Sequence, residues 1–389
     1  MNLKEILKTA VSTNASDIHI KVGLPPILRV NGALGTLKEL PRFSPEMTEE
    51  VAYSLMSDQI KEQFNKTNEV DFSHAVSGLG RFRVNIFRQR GSISMVLRVI
   101  PFEILGIEEL LLPKVIEKLA MEHRGLILVT GTTSSGKSTT LAAMIDYINS
   151  HRSAHIITIE DPVEFLHHDK KSIINQREVG EDTGTFASAL RAALRQDPNV
   201  ILVGEMRDFE TVATALLAAE TGHLVLSTVH TLDATETVNR IISVFPPYQQ
   251  TQIRTQLASV LKGIISQRLM PKADKSGRVP AVEVMVATAR IREYIENRNR
   301  TREIADAIAD GHIQYGMQTF DQSLMGLLEK ELIAYEEALK QATNPDDFAL
   351  KYSGISSTSD TTWDGFHKQD KKKKDEEKIE IDRSNQELK

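Results

Sequence analysis

Apolar positions follow two different rhythms along this chain. Over the first hundred residues they recur at helical spacing through Leu3, Ile6, Leu7, Ala10 and Val11. They then alternate with polar residues in Asp17-Ile18-His19-Ile20-Lys21-Val22, so a short amphipathic helix is predicted to lead into a half-buried strand. Pro25 and Pro26 interrupt the alternation, and Asn31-Gly32 predicts a hairpin turn after a strand at 27–30. Two short helices are expected after Ser44, and further strands near 69–75, 81–87 and 92–99. Several strands beside a few helices predict one sheet with helices on one face, an α+β unit over residues 1–100.

A connector begins at Pro101, and residues 101–112 read as a linker to a helix after Pro113. From Gly125 the rhythm changes. Unbroken apolar runs at 126–129, 156–159, 200–203 and 224–226 alternate with helical segments, the pattern of a parallel sheet covered on both faces. The α/β core is therefore expected over 113–271 and a mainly helical portion over 272–355. From Ser356 the apolar content collapses around Lys371–Lys374 and neighbouring acids, so residues 356–389 are expected to be a disordered polar tail.

Composition narrows the classes. The 389 residues are 41% hydrophobic and 26% charged, the balance of a soluble globular protein. No apolar run approaches a membrane span, and Met1 to Ala10, with Lys4, Glu5 and Lys8, lack the apolar stretch of a secretory signal. The absence of cysteine excludes disulfides, Cys-ligated zinc, iron–sulfur clusters and thiol catalysis. The net charge of −6 argues against non-specific binding to a polyanion, and no nucleic-acid partner is expected.

The most informative string is Gly131-Thr132-Thr133-Ser134-Ser135-Gly136-Lys137-Ser138-Thr139, which fits G-x-x-x-x-G-K-[ST], follows the apolar run at 126–129 and opens a helical segment. That context identifies a phosphate-binding Walker A loop. Its glycines let successive N–H groups face phosphates, and the helix N-terminus adds positive potential. Lys137 is expected to reach the β- and γ-phosphates, and the Ser138 hydroxyl to ligate magnesium. Carboxylates follow two other apolar runs: Glu160-Asp161-Pro162-Val163-Glu164 after 156–159, and Gly204-Glu205-Met206-Arg207-Asp208 after 200–203. The carboxyl ends of such strands are where ligands bind. The second string has the form of a Walker B strand, with Glu205 near the metal and reaching it through water. His223 and His230 bracket the run at 224–226. Without a third ligand at helical spacing they suit polar contacts to phosphate or a neighbouring subunit better than a metal.

Taken together, these strings resemble the secretion-type ATPases, and within them the type IV pilus retraction, or twitching motility, motors. The resemblance runs from near residue 1 to about Gly354. It rests on the loop at 131–139, ITIEDPVEFLH at 157–167, ILVGEMRD at 201–208, TGHLVLSTVHTLDATETVNRII at 221–242 and GMQTFDQ at 316–322. It implies a PAS-like N-terminal domain, a RecA-like P-loop NTPase core with a helical C-terminal portion, a homohexameric ring closed by nucleotide at subunit interfaces, and ATP and Mg2+ as cofactors. By matching position it implies that Glu164 polarises the attacking water, Glu205 supports the magnesium site and His230 contacts the γ-phosphate. Arg83 and Arg98, in GRFRVNIFRQRGSISMVLRV, are implied to reach a neighbouring subunit's nucleotide. The implied setting is cytoplasmic and peripheral at the inner membrane, with a membrane platform protein at the pilus base and a paralogous pilus ATPase as partners.

Two departures matter. Thr132 and Ser134 stand where these motors commonly carry proline and glycine, and a glycine at the second position accepts a backbone angle that serine dislikes. Slower or tuned hydrolysis is expected from it. The alternatives are an auxiliary ring that binds ATP but hydrolyses it weakly, an assembly or type II secretion ATPase, and a nucleic-acid translocase on the same core. Assembly motors generally carry a four-cysteine zinc site, which this chain cannot build. Aromatic content of 5% disfavours stacked single strands.

Overall fold

The computed structural model describes residues 3–30, 32–100 and 104–354. The polar tail expected at 356–389 and the start of the expected linker, 101–103, lie outside the described residues. The described residues divide into two compact units, those within Met1–Ile104 and Glu160–His168, and those within Leu105–Ile159 and Asp169–Lys389.

In the first unit, α1 (Leu3–Ser12) leads through β1 (Asp17–Lys21), β2 (Ile27–Val30) and β3 (Ala33–Thr36) to α2 (Pro45–Leu55), α3 (Asp58–Thr67), β4 (Glu69–Val76), β5 (Gly80–Gln89) and β6 (Ser92–Ile100). Local chemistry sets the helix ends. The Ser44 hydroxyl accepts from the Met47 N–H with Pro45 in the first turn, and Ser57 does the same for Ile60. Asn68 closes α3 in the left-handed region. Among the described residues the strands form a six-stranded sheet, β3-β2-β1-β6-β5-β4, with antiparallel pairing throughout. One face buries Ile18, Ile20, Phe82, Val84, Ile86, Met95 and Leu97 against Ile6, Leu7, Ala52 and Phe64 of the helices. The other face carries a polar row fixed by register, Ser73–Arg83–Arg98–Asp17–Arg29, running across β4, β5, β6, β1 and β2.

The second unit begins with α4 (Val115–Ala120) and continues β7 (Gly125–Thr130), α5 (Lys137–His151), β8 (His155–Glu160), β9 (Ile173–Glu178), α6 (Phe186–Ala193), β10 (Val200–Val203), α7 (Phe209–Glu220), β11 (Leu224–Val229), α8 (Ala234–Ser243), α9 (Gln250–Val260), β12 (Leu261–Pro271) and β13 (Arg278–Val286). Then come α10 (Ala289–Glu296), a 3-10 turn at Arg298–Glu303, α11 (Ile304–Asp310), α12 (His312–Tyr315), α13 (Phe320–Glu329), α14 (Tyr335–Gln341) and α15 (Pro345–Tyr352). The sheet order among the described residues is β13-β12-β7-β11-β10-β8-β9. Neighbours from β12 to β8 are parallel. Alternate residues of its strands feed two apolar layers. Leu126, Leu128, Ile157, Ile201 and Val225 pack with α6 to α11, while Ile127, Val129, Ile156, Leu202 and Leu226 pack with α4 and α5. This double burial is why those strands read as continuous apolar runs.

The sheet does not end at Pro271, where the sequence suggests a change to mainly helical structure. β13 turns back antiparallel on β12 from Pro271↔Arg278 to Gly263↔Val286. The GMQTFDQ string lies along the other side of β13. The Val284 N–H donates to the Gln318 carbonyl at 2.8 Å, the Gln318 amide donates to the Val282 carbonyl at 2.7 Å, and the Val282 N–H donates to the Ser323 hydroxyl at 2.9 Å. No helix among the described residues is long and apolar enough to cross a membrane.

Candidate nucleotide site

β7 is fully buried up to Thr130 and releases the chain into the loop at 131–139. Gly131 stands at φ +141°, where a Cβ would lie 2.5 Å from the Gln267 carbonyl and from the Ser135 hydroxyl, so only glycine fits. Gly136, at φ +93°, turns the chain into α5, which has no side-chain cap on its first N–H groups. An uncapped helix start with a glycine turn is a cradle for an anion. Within it, the buried Lys137 side chain bends back, and its Nζ donates to the carbonyls of Gly131 and Thr132 at 2.9 Å each. Thr132, Thr133 and Ser134 are exposed, Ser135 is buried, and Ser138 and Thr139 are half-buried in the first turn of the helix. Ser134 holds φ +64°, a left-handed conformation costing a non-glycine residue about 1–2 kcal/mol.

The same carboxyl edge of the sheet gathers two further groups. Glu205 follows β10 and His230 follows β11, and the order β7-β11-β10 sets the histidine's strand between the loop's strand and the glutamate's. The Glu205 Oε2 lies 3.5 Å from the His230 Nε2 and 2.7 Å from the Arg207 Nε. Backbone and hydroxyls fix this pair: Ser227 donates to the Val203 carbonyl at 2.7 Å, Thr228 to the Gly204 carbonyl at 2.6 Å, and the Met206 N–H to the Thr228 carbonyl at 3.2 Å. His223 has a different task, its Nδ1 bonding the Ala218 carbonyl at the end of α7.

Glu164 belongs with the first unit. It is exposed, and its N–H points to the Glu160 carboxylate at 3.5 Å, just after the cis Asp161–Pro162 bond. Arg83 and Arg98 are cross-strand partners on the open face of the first sheet. Arg83 chelates Asp71, with Nη2 to Oδ2 at 2.7 Å. Its guanidinium is held further toward the charged form, first by these hydrogen bonds and then by the charges of Asp71, Glu164 and Asp161. Arg98 donates to Asp17 at 3.0 Å, and Arg29 stands 3.7 Å from the same carboxylate. Burial works to raise the Asp17 carboxyl, but the Ser16 hydroxyl and Arg98 outweigh it and hold it below its ordinary value.

Three residues of this edge escape a reading by motif. Arg207 lies inside the GEMRD string two residues after Glu205, and its salt bridge to that carboxylate is shown by the side-chain geometry. Gln267 of β12 donates to the Thr140 hydroxyl of α5 at 2.8 Å and presents its carbonyl to Gly131. Glu283 of β13 sits buried in the same region of the sheet.

A family model for the type II/IV secretion system protein matches residues 1–334. The chain belongs to that family. Among relatives, this family member is 45% identical over 348 residues to the type IV pilus retractation ATPase PilT of Pseudomonas aeruginosa, covering 90% of this chain and 100% of that protein. It is 44% identical over 350 residues to a twitching motility protein of Neisseria gonorrhoeae, covering 90% and 92%. The crystal structure of the pilus retraction motor PilT with bound ADP superposes with a TM-score of 0.83 at 49% identity, covering 89% of this chain and 98% of that one. The mixed α/β organisation with a parallel core expected from the alternation of apolar runs and helices is thus shared with this family.

Proposed function

We propose that this chain is an ATP-hydrolysing motor of the cytoplasm, assembled as a homohexamer, that powers type IV pilus retraction and twitching motility. The observation that carries the proposal is the convergence on one sheet edge of an open phosphate loop, Lys137, and the paired Glu205 and His230. The names and near-complete coverage of its relatives give the work that hydrolysis would do.

The assignments follow from charge. Phosphoryl transfer needs positioning and neutralisation more than covalent help. The N–H groups of Gly131 to Thr139 cradle the phosphates, and the Lys137 ammonium exchanges its loop carbonyls for phosphate oxygens. A hydroxyl in the first helical turn and a carboxylate beyond β10 suit a hard divalent ion. Ser138 and, through water, Glu205 would hold magnesium, which supplies charge neutralisation at the phosphates. Glu164 orients the water that attacks the γ-phosphorus while the bond to ADP breaks, releasing inorganic phosphate. His230 contacts the γ-phosphate, and Arg83 and Arg98 of a neighbouring subunit offer planar, permanently charged forks to the developing charge. The ring would work peripherally at the inner membrane against a platform protein of the pilus base, beside a paralogous ATPase.

Magnesium-dependent ATP turnover, with a Glu205→Ala variant beside the natural protein and mass determined in solution, tests this. A hexamer whose turnover falls at least about 100-fold in the variant supports the motor chemistry. A hexamer that binds ATP but turns it over no faster than the variant favours an auxiliary ring, the second reading that the left-handed Ser134 supports.

A further inference from the structure

Glu283 is an acid where the sheet calls for an apolar residue. Its neighbours along β13, Val282 and Val284, are fully buried, and Glu283 itself is 7% exposed. Burial pushes its carboxyl up to about 7, with Asp233 adding to the rise and the Ala234 N–H, Ser266 hydroxyl and Arg268 opposing it. Burying a carboxyl is costly and persists only where hydrogen bonds repay it. Here one oxygen, Oε1, accepts from the Ala234 N–H at 2.8 Å and from the Ser266 hydroxyl at 3.2 Å.

Both donors sit at meaningful places. Ala234 is the first residue of α8, four residues after His230. Ser266 is the register partner of Glu283 on one side and of Thr130 on the other, and Thr130 is the last strand residue before the phosphate loop. Among the described residues, the other side-chain hydrogen bonds of residues 231–234 are local. Thr231 pairs with Thr237 at 2.7 Å, Leu232 donates to Glu236 at 2.8 Å, and the Asp233 carboxylate and carbonyl cap α8. Among the described residues, the bond to Glu283 is the one that spans to a distant strand.

We propose that Glu283 is a positioning residue that anchors the His230 segment to the strands beside the phosphate loop, so that histidine and phosphates are held at a fixed separation. The proposal rests on the ATPase function argued above. Loss of the anchor leaves the loop at 131–139 intact, so nucleotide capture stays while the His230-dependent step suffers.

The test uses the full chain with Glu283→Ala, Glu283→Gln and Ala234→Pro. Proline fits the first position of a helix and deletes the N–H that Glu283 accepts from. Glu283→Ala and Ala234→Pro are each expected to lower kcat by at least about tenfold with KM for ATP nearly constant, as a small displacement of a reacting group does. Glu283→Gln keeps an acceptor oxygen and is expected to recover most of kcat. In a His230→Ala background, Glu283→Ala is expected to add nothing. Hydrogen exchange supplies a readout independent of turnover, with faster exchange at residues 230–234 in Glu283→Ala and Ala234→Pro and unchanged exchange in β7. Unchanged exchange at 230–234 overturns the proposal, as do an unaltered kcat, a parallel loss in kcat and nucleotide affinity, or additivity with His230→Ala. If Glu283→Ala fails to fold, Ala234→Pro and Glu283→Gln decide. Absent turnover in the natural protein would instead overturn the ATPase function, leaving exchange to judge the anchor.

Discussion

The two sheets treat buried carboxylates in opposite ways. On the antiparallel sheet of the first unit, Asp17 lies under Arg98 and Arg29 on a face that helices do not cover, and its charge is favoured. In the second unit both faces are packed, and among the described residues Glu283 meets only neutral donors at hydrogen-bonding distance, so its charge is disfavoured. The difference follows from architecture. A sheet with one open face can spread ion pairs along it, whereas a sheet buried on both sides confines strong charge to its carboxyl edge, where Lys137, Glu205 and His230 gather.

Four substitutions sharpen the contrast. The largest effect belongs to the edge. Lys137→Ala is expected to cut ATP turnover and binding by more than about 100-fold with little change in melting temperature, measured by phosphate release and nucleotide titration. A variant that still turns over ATP would show that this edge does not hold the chemistry.

Next is Glu283→Gln. With a folded-state value of about 7 against an ordinary 4.5, the folded chain keeps a proton that the unfolded chain releases. That contribution is complete below the unfolded value and is lost as pH rises through the folded one. Melting from pH 5 to 8 is therefore expected to reveal alkaline destabilisation of up to about 3 kcal/mol in the natural protein that the glutamine variant lacks. Equal pH slopes would remove the buried acid from the account.

Asp17→Asn has the opposite sign. Its depressed carboxyl contributes stability above the unfolded value and loses it as pH falls through the folded one. Because Arg98 is largely exposed, the expected loss at neutral pH is only about 1 kcal/mol, vanishing in acid. The smallest change is Ser134→Gly, which relieves the positive φ and is expected to gain about 0.5–1 kcal/mol and to quicken turnover. Slower turnover would mean that the serine is an asset.

The strands most legible in the sequence are those with unbroken apolar runs, β7, β8, β10 and β11, together with the loop that follows the first of them. β9 is hidden because Asn175, Gln176 and Arg177 break its hydrophobic run at the sheet edge. β12 and β13 are masked by Gln267, Arg268, Pro280 and Glu283, polar or helix-breaking residues whose partners are supplied by other elements. The candidate site divides the same way. Motif spacing marks Lys137, Ser138, Glu205 and His230. The Ala234 contact to Glu283, 49 positions apart, depends on chain reversals that no spacing records.

The GMQTFDQ string bonded along β13 has one more consequence. An outermost strand with free N–H and carbonyl groups is a template for any extended chain that drifts past it. By pairing Gln318 with Val284 and donating from the Gln318 side chain to the Val282 carbonyl, this short string covers that edge of the sheet. The homohexamer proposed above would have particular need of such a stop, because strand-to-strand pairing between copies would compete with ordered assembly.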